Sequence, residues 1–408
     1  QVFVERIDIS GNTKTRDKVI RRDIALIEGD LYNSRLLARS RQNLNNLGYF
    51  EDVKIDTRRG TAEDRVDIEV TVKEKPTGSF AIGAGFSSID GVLGAGSISQ
   101  NNFLGLGTRV SFSGQLGSSA NRFVLRYQDP HILDTETSLD LSLYNQRLLF
   151  QSLTGFDQDS TGGSLTLGRR VYKELFGSVS YKYERVNIFN LLPNLVVAPA
   201  GLIKEGTNTT ASVGVGLSMD LRDNRRDPTR GFTGAASYQL AASFLGGENE
   251  FNRFNLDLGY YYPLLWKFVG HIRGNLIVVE PFGNSQKIPT QERVFLGGTN
   301  TVRGFKTFTL SPVDSAGNRI GGNKAIYFNN ELLFPIYEPL GAKGLLFIDA
   351  GNVFAEDERF SLSLRPTAGA GLRVATPFGL VRVEYGFNLD QRPGEPSGAA
   401  HLTVGSVF

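Results

Sequence analysis

The chain has 408 residues with 44 Lys and Arg against 42 Asp and Glu, so its formal charge of +2 argues against a nucleic-acid-binding protein, which should carry a basic excess. It contains no cysteine, which excludes disulfides and thiolate metal sites. No apolar run approaches the roughly 18 residues of a membrane-spanning helix, so the chain could cross a membrane only as a closed β-barrel, which pairs every backbone polar group.

The first 75 residues predict a small α+β domain. A strand, two amphipathic helices and two alternating strands follow one another at residues 2–9, 16 to about 26, 34–47, 49–56 and 66–72. Thr15 is the predicted cap of the first helix and Asn33 or Ser34 that of the second, which ends at Gly48. The order is β-α-α-β-β, and about 75 residues are enough for an independent domain.

Residues 76–408 show a different pattern, in which apolar and polar side chains alternate between turns rich in Gly, Asn and Asp. The alternation predicts sixteen strands, centred near residues 82, 96, 112, 125, 141, 166, 181, 216, 237, 256, 274, 330, 348, 370, 384 and 403. An even strand number with alternately short and long connections is typical of bacterial outer-membrane barrels. The sequence therefore predicts a 16-stranded antiparallel transmembrane β-barrel with an apolar outer face and a polar lumen.

The longest predicted loop, residues 283–323, has no sustained strand or helix period, and loops of this size usually carry function. Its middle contains Gly297 and Gly298, followed by the four residues Val302, Arg303, Gly304 and Phe305. Gly304 would let the backbone approach the barrel wall, and Phe305 would be an apolar wedge. We predict that this loop folds back into the barrel as a plug.

Arg303 is the predicted anchor of the plug loop. A charge inside the lumen needs carboxylate partners, and the alternation in the two following strands turns Glu331 and Asp349 inward. A single Arg-Gly-Phe in a solvated loop is the commoner explanation of such a tripeptide. The loop length, the preceding glycine pair and the two inward acids favour the anchor.

The first and last predicted barrel strands, residues 78–87 and 399–408, carry glycines. Gly83 and Gly85 lie in the first strand, and Gly405 is expected to interrupt the last one. Glycine weakens strand pairing, so these positions predict either a seam that opens or simple curvature of a closed barrel.

Several segments resemble a known family. Residues 11–12, 28–30, 47–50 and 72–75 are similar to a POTRA domain. Residues 101–107, 227–231, 302–305 and 347–354 resemble, in order, motifs of the POTRA-plus-barrel superfamily that assembles or secretes proteins across outer membranes. Leu402, Val404 and Phe408 resemble the C-terminal signal of outer-membrane barrels. The resemblance covers essentially the whole chain.

The resemblance implies a barrel-assembly factor in the bacterial outer membrane, with its POTRA domain in the periplasm. Its partners would be nascent outer-membrane proteins, outer-membrane lipids and periplasmic lipoprotein subunits, with no nucleic acid, cofactor or metal. Such factors carry several POTRA domains, whereas residues 1–75 have room for one. Because residues 1–10 also lack a signal-peptide pattern, we expect an N-terminally trimmed form.

Two alternatives remain open from the sequence. A translocator of the two-partner-secretion or TamA type would share the domain order, and a passive diffusion porin would share the barrel. An enzyme is disfavoured because His131, His271 and His401 share no ligand spacing.

Overall fold

The structure is a computed structural model that describes residues 2–88, 90–192, 205–225, 227–315, 317–376 and 379–405. By its contacts the chain forms two compact units. One contains residues up to 81, 97–112 and 126–132, and the other contains residues 82–96, 113–125 and 133 onward. Within the described ranges, no helix is long and apolar enough to cross a membrane.

The N-terminal domain has the predicted β-α-α-β-β order. Its elements are β1 (Phe3–Ser10), α1 (Asp17–Arg21), α2 (Ser34–Asn46), β2 (Phe50–Arg59) and β3 (Arg65–Glu74). In the three-stranded sheet β3 is central, parallel to β1 and antiparallel to β2. The Asn33 side chain caps α2 by accepting bonds from Arg35 N and Leu36 N, as predicted. Both helices pack on this sheet through a single apolar core.

The prediction for the first helix was wrong in its length and in its cap. Helix α1 ends at Arg21, and its N-cap residue makes no side-chain cap bond. The Thr15 hydroxyl instead accepts a 2.8 Å bond from Asn102 Nδ2. Ile24 and Leu26 are both buried in the domain core. Residues two apart lie on opposite sides of a helix, so a non-helical backbone is needed to bury both.

The rest of the chain forms a closed barrel in which consecutive strands are neighbours and the last strand lies beside the first. The sixteen strands are β4 (Gly78–Ser87), β5 (Gly91–Phe103), β6 (Thr108–Gly117), β7 (Ala120–Asp129), β8 (Thr137–Leu148), β9 (Asp157–Tyr172), β10 (Leu175–Phe189), β11 (Gly206–Asp220), β12 (Gly231–Ala241), β13 (Phe251–Pro263), β14 (Val269–Pro281), β15 (Lys324–Tyr337), β16 (Ala342–Phe354), β17 (Arg365–Thr376), β18 (Gly379–Asn388) and β19 (Gly398–Val404). Each predicted strand centre falls inside one of them, so the predicted fold class is confirmed.

Exposure alternates along the barrel strands as the sequence pattern requires. In β18, Val383 and Phe387 are more than half exposed, whereas Glu384 between them is 1% exposed and Asn388 is buried. Successive side chains of a strand point to opposite faces. The outer wall is therefore apolar and the polar side chains line the lumen, as expected of a barrel in lipid.

The 283–323 loop joins β14 to β15 and, in its described part, lies inside the barrel. The regular structure of this described part is a short 3-10 helix, Thr290–Glu292, and isolated bridges such as Leu296 to Leu310. Apolar side chains of the loop and of the lumen wall form one buried cluster, which includes Val294, Leu296, Val302, Phe305 and Leu310 from the loop and Phe251, Val279, Tyr327 and Val353 from strands. The loop therefore has its own apolar contacts with the wall, in addition to any ion pair.

Strand β19 is described as far as Val404. Gly405 follows it with a φ of 94°, and because residues 406–408 lie outside the described residues, its interruption of the last strand stays a prediction. A left-handed conformation of this kind ends regular pairing and favours glycine. Leu402 and Val404 are both partly exposed on one face of β19, and Phe408 lies outside the described residues.

Candidate functional site

The Arg303 side chain lies at the centre of the lumen site. It is 1% exposed, and its Nε and Nη2 atoms each donate a 2.7 Å hydrogen bond to the two carboxylate oxygens of Asp349. The Arg303 backbone N–H donates a third bond to the same carboxylate at 3.0 Å. The guanidinium also lies 3.7 Å from the centroid of the Phe347 ring. This bidentate, stacked geometry suits arginine and could not be reproduced by lysine.

Two further carboxylates complete the surroundings of Arg303. Its Nη1 atom donates to Glu331 Oε1 at 2.7 Å and to Glu384 Oε2 at 3.2 Å. Glu331 also accepts bonds from Arg373, and Glu384 accepts from Arg373 and Arg382. This group, which we call the anchor network, therefore pairs the guanidiniums of residues 303, 373 and 382 with the carboxylates of residues 331, 349 and 384.

The three carboxylates of the anchor network offset the burial of the Arg303 charge. Burial alone would lower the pKa of Arg303, but the bonds and charges of Asp349, Glu331 and Glu384 outweigh burial and raise that pKa. A buried ion pair is stable only when its charges are matched and its remaining donors and acceptors are satisfied. Both conditions hold here. Arg303 is therefore fixed by the hydrogen bonds that it donates to carboxylates on three different strands.

The backbone beside Arg303 lies in direct contact with the barrel wall. Gly304 has a φ of 90°, and its N–H donates to His401 Nε2 at 3.2 Å. A Cβ built on Gly386 would lie 2.5 Å from the Gly304 nitrogen, and a Cβ built on Gly351 would lie 2.7 Å from Val302. Glycine on the wall is thus required for this close approach.

The structure brings the predicted residues Arg303, Glu331 and Asp349 into direct contact, with Val302 and Phe305 buried beside them. Sequence reasoning missed Glu384, which the structure places on the buried, polar face of β18 together with Asn388. Strand alternation tells which face a carboxylate is on, but it does not tell how high along the barrel the carboxylate lies.

A second buried arginine of the loop was also missed. Arg293 donates to the carbonyl oxygens of Ile320 and Gly321 and to Glu356 Oε1, the last at 2.8 Å. Burial is the main cause that lowers the pKa of Arg293, against the opposing effect of Glu356. No motif in the sequence distinguishes this arginine from a solvated loop residue.

The seam between β4 and β19 is the second feature of interest. In the described residues the two strands pair only at Ser87 with Thr403 and at Phe86 with Val404. Ser88 adds a backbone bond to the Leu402 carbonyl at 3.2 Å. Gly85 lies against this seam, where an added Cβ would be 2.6 Å from the Val404 carbonyl oxygen.

The three histidines do not converge. His271 Nδ1 lies 3.0 Å from Glu331, and His401 accepts from Gly304. No group of three or more His, Asp or Glu side chains in the described part of the chain is arranged to hold a metal ion.

A closed 16-stranded barrel, a preceding β-α-α-β-β domain and a lumen loop fixed to the wall define the class of POTRA-plus-barrel outer-membrane proteins. The sequence matches the family model described as Omp85 superfamily domain over residues 102–408 and the one described as surface antigen variable number repeat, a POTRA model, over residues 2–75. The chain belongs to the Omp85 superfamily, which confirms the resemblance seen in its motifs.

Known members of this superfamily cover the chain from end to end. It is 28% identical to "Outer membrane protein assembly factor BamA" of Nitratidesulfovibrio vulgaris, an alignment that covers 100% of this chain and 52% of that protein. The fold matches BamA of Haemophilus ducreyi lacking POTRA domains 1–3, with a TM-score of 0.87 and 22% identity over 99% of this chain and 84% of that one. It also matches CdiB of Acinetobacter baumannii, with a TM-score of 0.63 and 17% identity over 99% and 73%. The chain spans about half the length of the curated relatives it matches.

Proposed function

We propose that this chain folds and inserts nascent β-barrel proteins into the bacterial outer membrane, and that it does so through the seam between β4 and β19. The barrel lies in the outer membrane, and the POTRA domain lies in the periplasm. Relatives that align with the whole of this chain carry the printed name "Outer membrane protein assembly factor BamA", which supports the assignment. No covalent chemistry and no cofactor enter the proposed mechanism.

The observation that carries the proposal is the glycine at the seam. Gly83 and Gly85 lie in β4, and Gly405, which follows the described part of β19, has a φ of 94°. An unpaired strand edge is a template for another strand, because its N–H and C=O groups need partners. Glycine weakens strand pairing, so we infer that the barrel opens between β4 and β19 and that a nascent strand adds to the β4 edge.

The anchor network supports the same mechanism by a different route. Arg303 ties the plug loop to β15, β16 and β18 through Glu331, Asp349 and Glu384. We infer that this connection keeps the C-terminal half of the barrel rigid while the seam opens. Nascent outer-membrane proteins and lipids are the proposed partners at the seam, and periplasmic lipoprotein subunits are proposed for the POTRA domain.

A disulfide across the seam tests the mechanism, since the chain has no cysteine of its own. The register pair Ser87→Cys with Thr403→Cys locks the seam. The matched control is Thr166→Cys with Ser180→Cys, a register pair in the long β9–β10 ladder. Insertion of a urea-unfolded barrel protein into proteoliposomes is followed by its heat-shifted electrophoretic mobility.

We expect the oxidised seam variant to insert no faster than protein-free liposomes, and reductant to restore its rate. The oxidised control pair should insert at the rate of the unmodified protein. Full insertion by the locked seam contradicts the mechanism.

Two measurements distinguish the rival functions. A diffusion porin would conduct ions in a planar bilayer, whereas a lumen filled by residues 283–323 should conduct poorly. Depletion in the parent organism would remove one secreted protein for a translocator, but many outer-membrane barrels for an assembly factor.

A further inference from the structure

Three turns at one end of the barrel enclose a cavity that the insertion mechanism does not use. We call the end at which β4 begins the proximal end. The turns join β11 to β12, β13 to β14 and β15 to β16, and the cavity between them has a volume of about 460 Å³. This volume is within the range of small-molecule binding sites, which is roughly 300–1,000 Å³.

The walls of this proximal cavity are mainly apolar. Phe268 and Phe334 line it with their ring centroids 5.6 Å apart, and Val269 and Leu333 lie beside them. Trp266, in the same turn as Phe268, is 83% exposed. Exposed aromatic side chains at the end of a membrane barrel are typical of the interface between hydrocarbon and water. The cavity therefore lies where the acyl chains of a lipid meet its headgroup.

Two ion pairs that line the cavity bridge separate turns. Lys267 Nζ donates to Glu338 Oε1 at 2.6 Å, and Lys343 pairs with Asp227. These four lining charges are equal in number and opposite in sign. Each ammonium has three N–H donors and each carboxylate has several lone pairs, so both pairs retain unused bonding capacity.

We propose that the proximal cavity binds one phospholipid whose headgroup carries a phosphate and a primary amine. The phosphate oxygens accept bonds from Lys267 and Lys343, while the amine donates to Glu338 or Asp227. The first part of an acyl chain packs against the Phe268 and Phe334 rings, which are themselves in contact. The proposal requires only that the barrel lies in a membrane, and it stands whether or not the protein inserts other barrels.

The charges at the site predict a headgroup preference. A phosphatidylglycerol headgroup has the phosphate but no amine. Its net negative charge is therefore repelled by the two carboxylates, Glu338 and Asp227, without any compensating hydrogen bond to them. A phosphatidylcholine headgroup has both charges, but its quaternary ammonium has no N–H to donate. Phosphatidylethanolamine satisfies both the lysines and the acids, and is therefore the favoured ligand.

Trp266 provides the measurement, because it is the single tryptophan of the chain and lies in one of the three turns. The full chain is reconstituted in phosphatidylcholine vesicles that contain an equal mole fraction of phosphatidylethanolamine, phosphatidylglycerol or phosphatidylcholine with dibrominated acyl chains. Bromine quenches nearby tryptophan fluorescence, so the extent of quenching reports the relative association of each lipid. We expect the brominated phosphatidylethanolamine to associate about three- to tenfold more strongly than the other two, the range for two exposed charge pairs.

Variants then test whether the ion pairs cause the preference. Lys267→Gln combined with Lys343→Gln should abolish it, and Lys267→Gln alone should weaken it if the double variant folds poorly. Lys173→Gln, at another exposed lysine of a proximal turn, is the matched control and should leave it unchanged. Heat-shifted mobility confirms folding of each variant. Equal quenching by all three lipids, stronger quenching by phosphatidylglycerol, or a preference that survives loss of both lysines would overturn the proposal.

Discussion

Replacing Arg303 with alanine tests whether the anchor network holds the plug loop. Among the described residues, the Asp349 carboxylate receives its hydrogen bonds from residue 303 alone, two from the guanidinium and one from the backbone. Glu331 and Glu384 keep their bonds from Arg373. The substitution therefore removes the guanidinium partner mainly from Asp349, which is fully buried. Breaking a buried ion pair costs about 3–5 kcal/mol, so Arg303→Ala should lower the free energy of unfolding of the barrel by that amount.

A second substitution separates this cause from a general loss of packing. Asp349→Asn removes the uncompensated charge, so Arg303→Ala with Asp349→Asn should recover about 2 kcal/mol relative to Arg303→Ala. Glu384→Gln in the same background should recover little, because Glu384 still pairs with Arg373 and Arg382. The two double variants differ only in which carboxylate is neutralised.

The assay is a urea titration of the purified barrel, in which the folded fraction is measured by heat-shifted mobility. Limited proteolysis within residues 283–323 reports release of the plug loop in parallel. Equal midpoints for Arg303→Ala and the unsubstituted protein would refute the reasoning. Equal rescue by Asp349→Asn and Glu384→Gln would refute the assignment of the cost to Asp349.

Two further predictions concern the wall behind the loop and the POTRA domain. Gly386→Ala would place a Cβ 2.5 Å from the Gly304 nitrogen, so it should cost about 1–3 kcal/mol and expose the plug loop to protease. Gly94→Ala, where nothing lies within 4 Å, should do neither. In the POTRA domain, burial raises the pKa of Glu74, but the bonds donated by residues 13–15 outweigh it and lower that pKa to about 2 from its ordinary 4.5. This stabilisation is present above pH 4.5 and is lost as the pH falls towards 2. The free energy of opening of the domain core, measured by hydrogen exchange, should therefore fall by about 1–2 kcal/mol between pH 4.5 and pH 2. The Glu74→Gln variant should show no such fall.

Side-chain alternation was enough to place every strand of the barrel. Alternation sufficed because one face of each strand contacts lipid and the other faces the lumen. Apolar and polar side chains therefore alternate with a period of two residues in nearly every strand. Local chemistry was likewise enough for the Asn33 cap, whose carbonyl oxygen reaches N–H groups only two and three residues away. Structural features that depend on residues close together in the sequence could therefore be predicted from the sequence.

Structural features that depend on residues far apart in the sequence could not be predicted in this way. The segment after Arg21 has helical spacing, yet it leaves the helix because the domain core buries both Ile24 and Leu26. Glu384 meets Arg303 although 81 residues separate them. That contact depends on the stagger of β18 against β15 and β16, which alternation does not define.

The sequence by itself determined the order of elements, the strand count and the inward direction of the acids. Only the tertiary structure decided the height at which the loop meets the wall and the balance of three guanidiniums and three carboxylates around Arg303. The physical reason is that a strand's period fixes its faces, whereas closing the barrel fixes how far each strand slides along its neighbour.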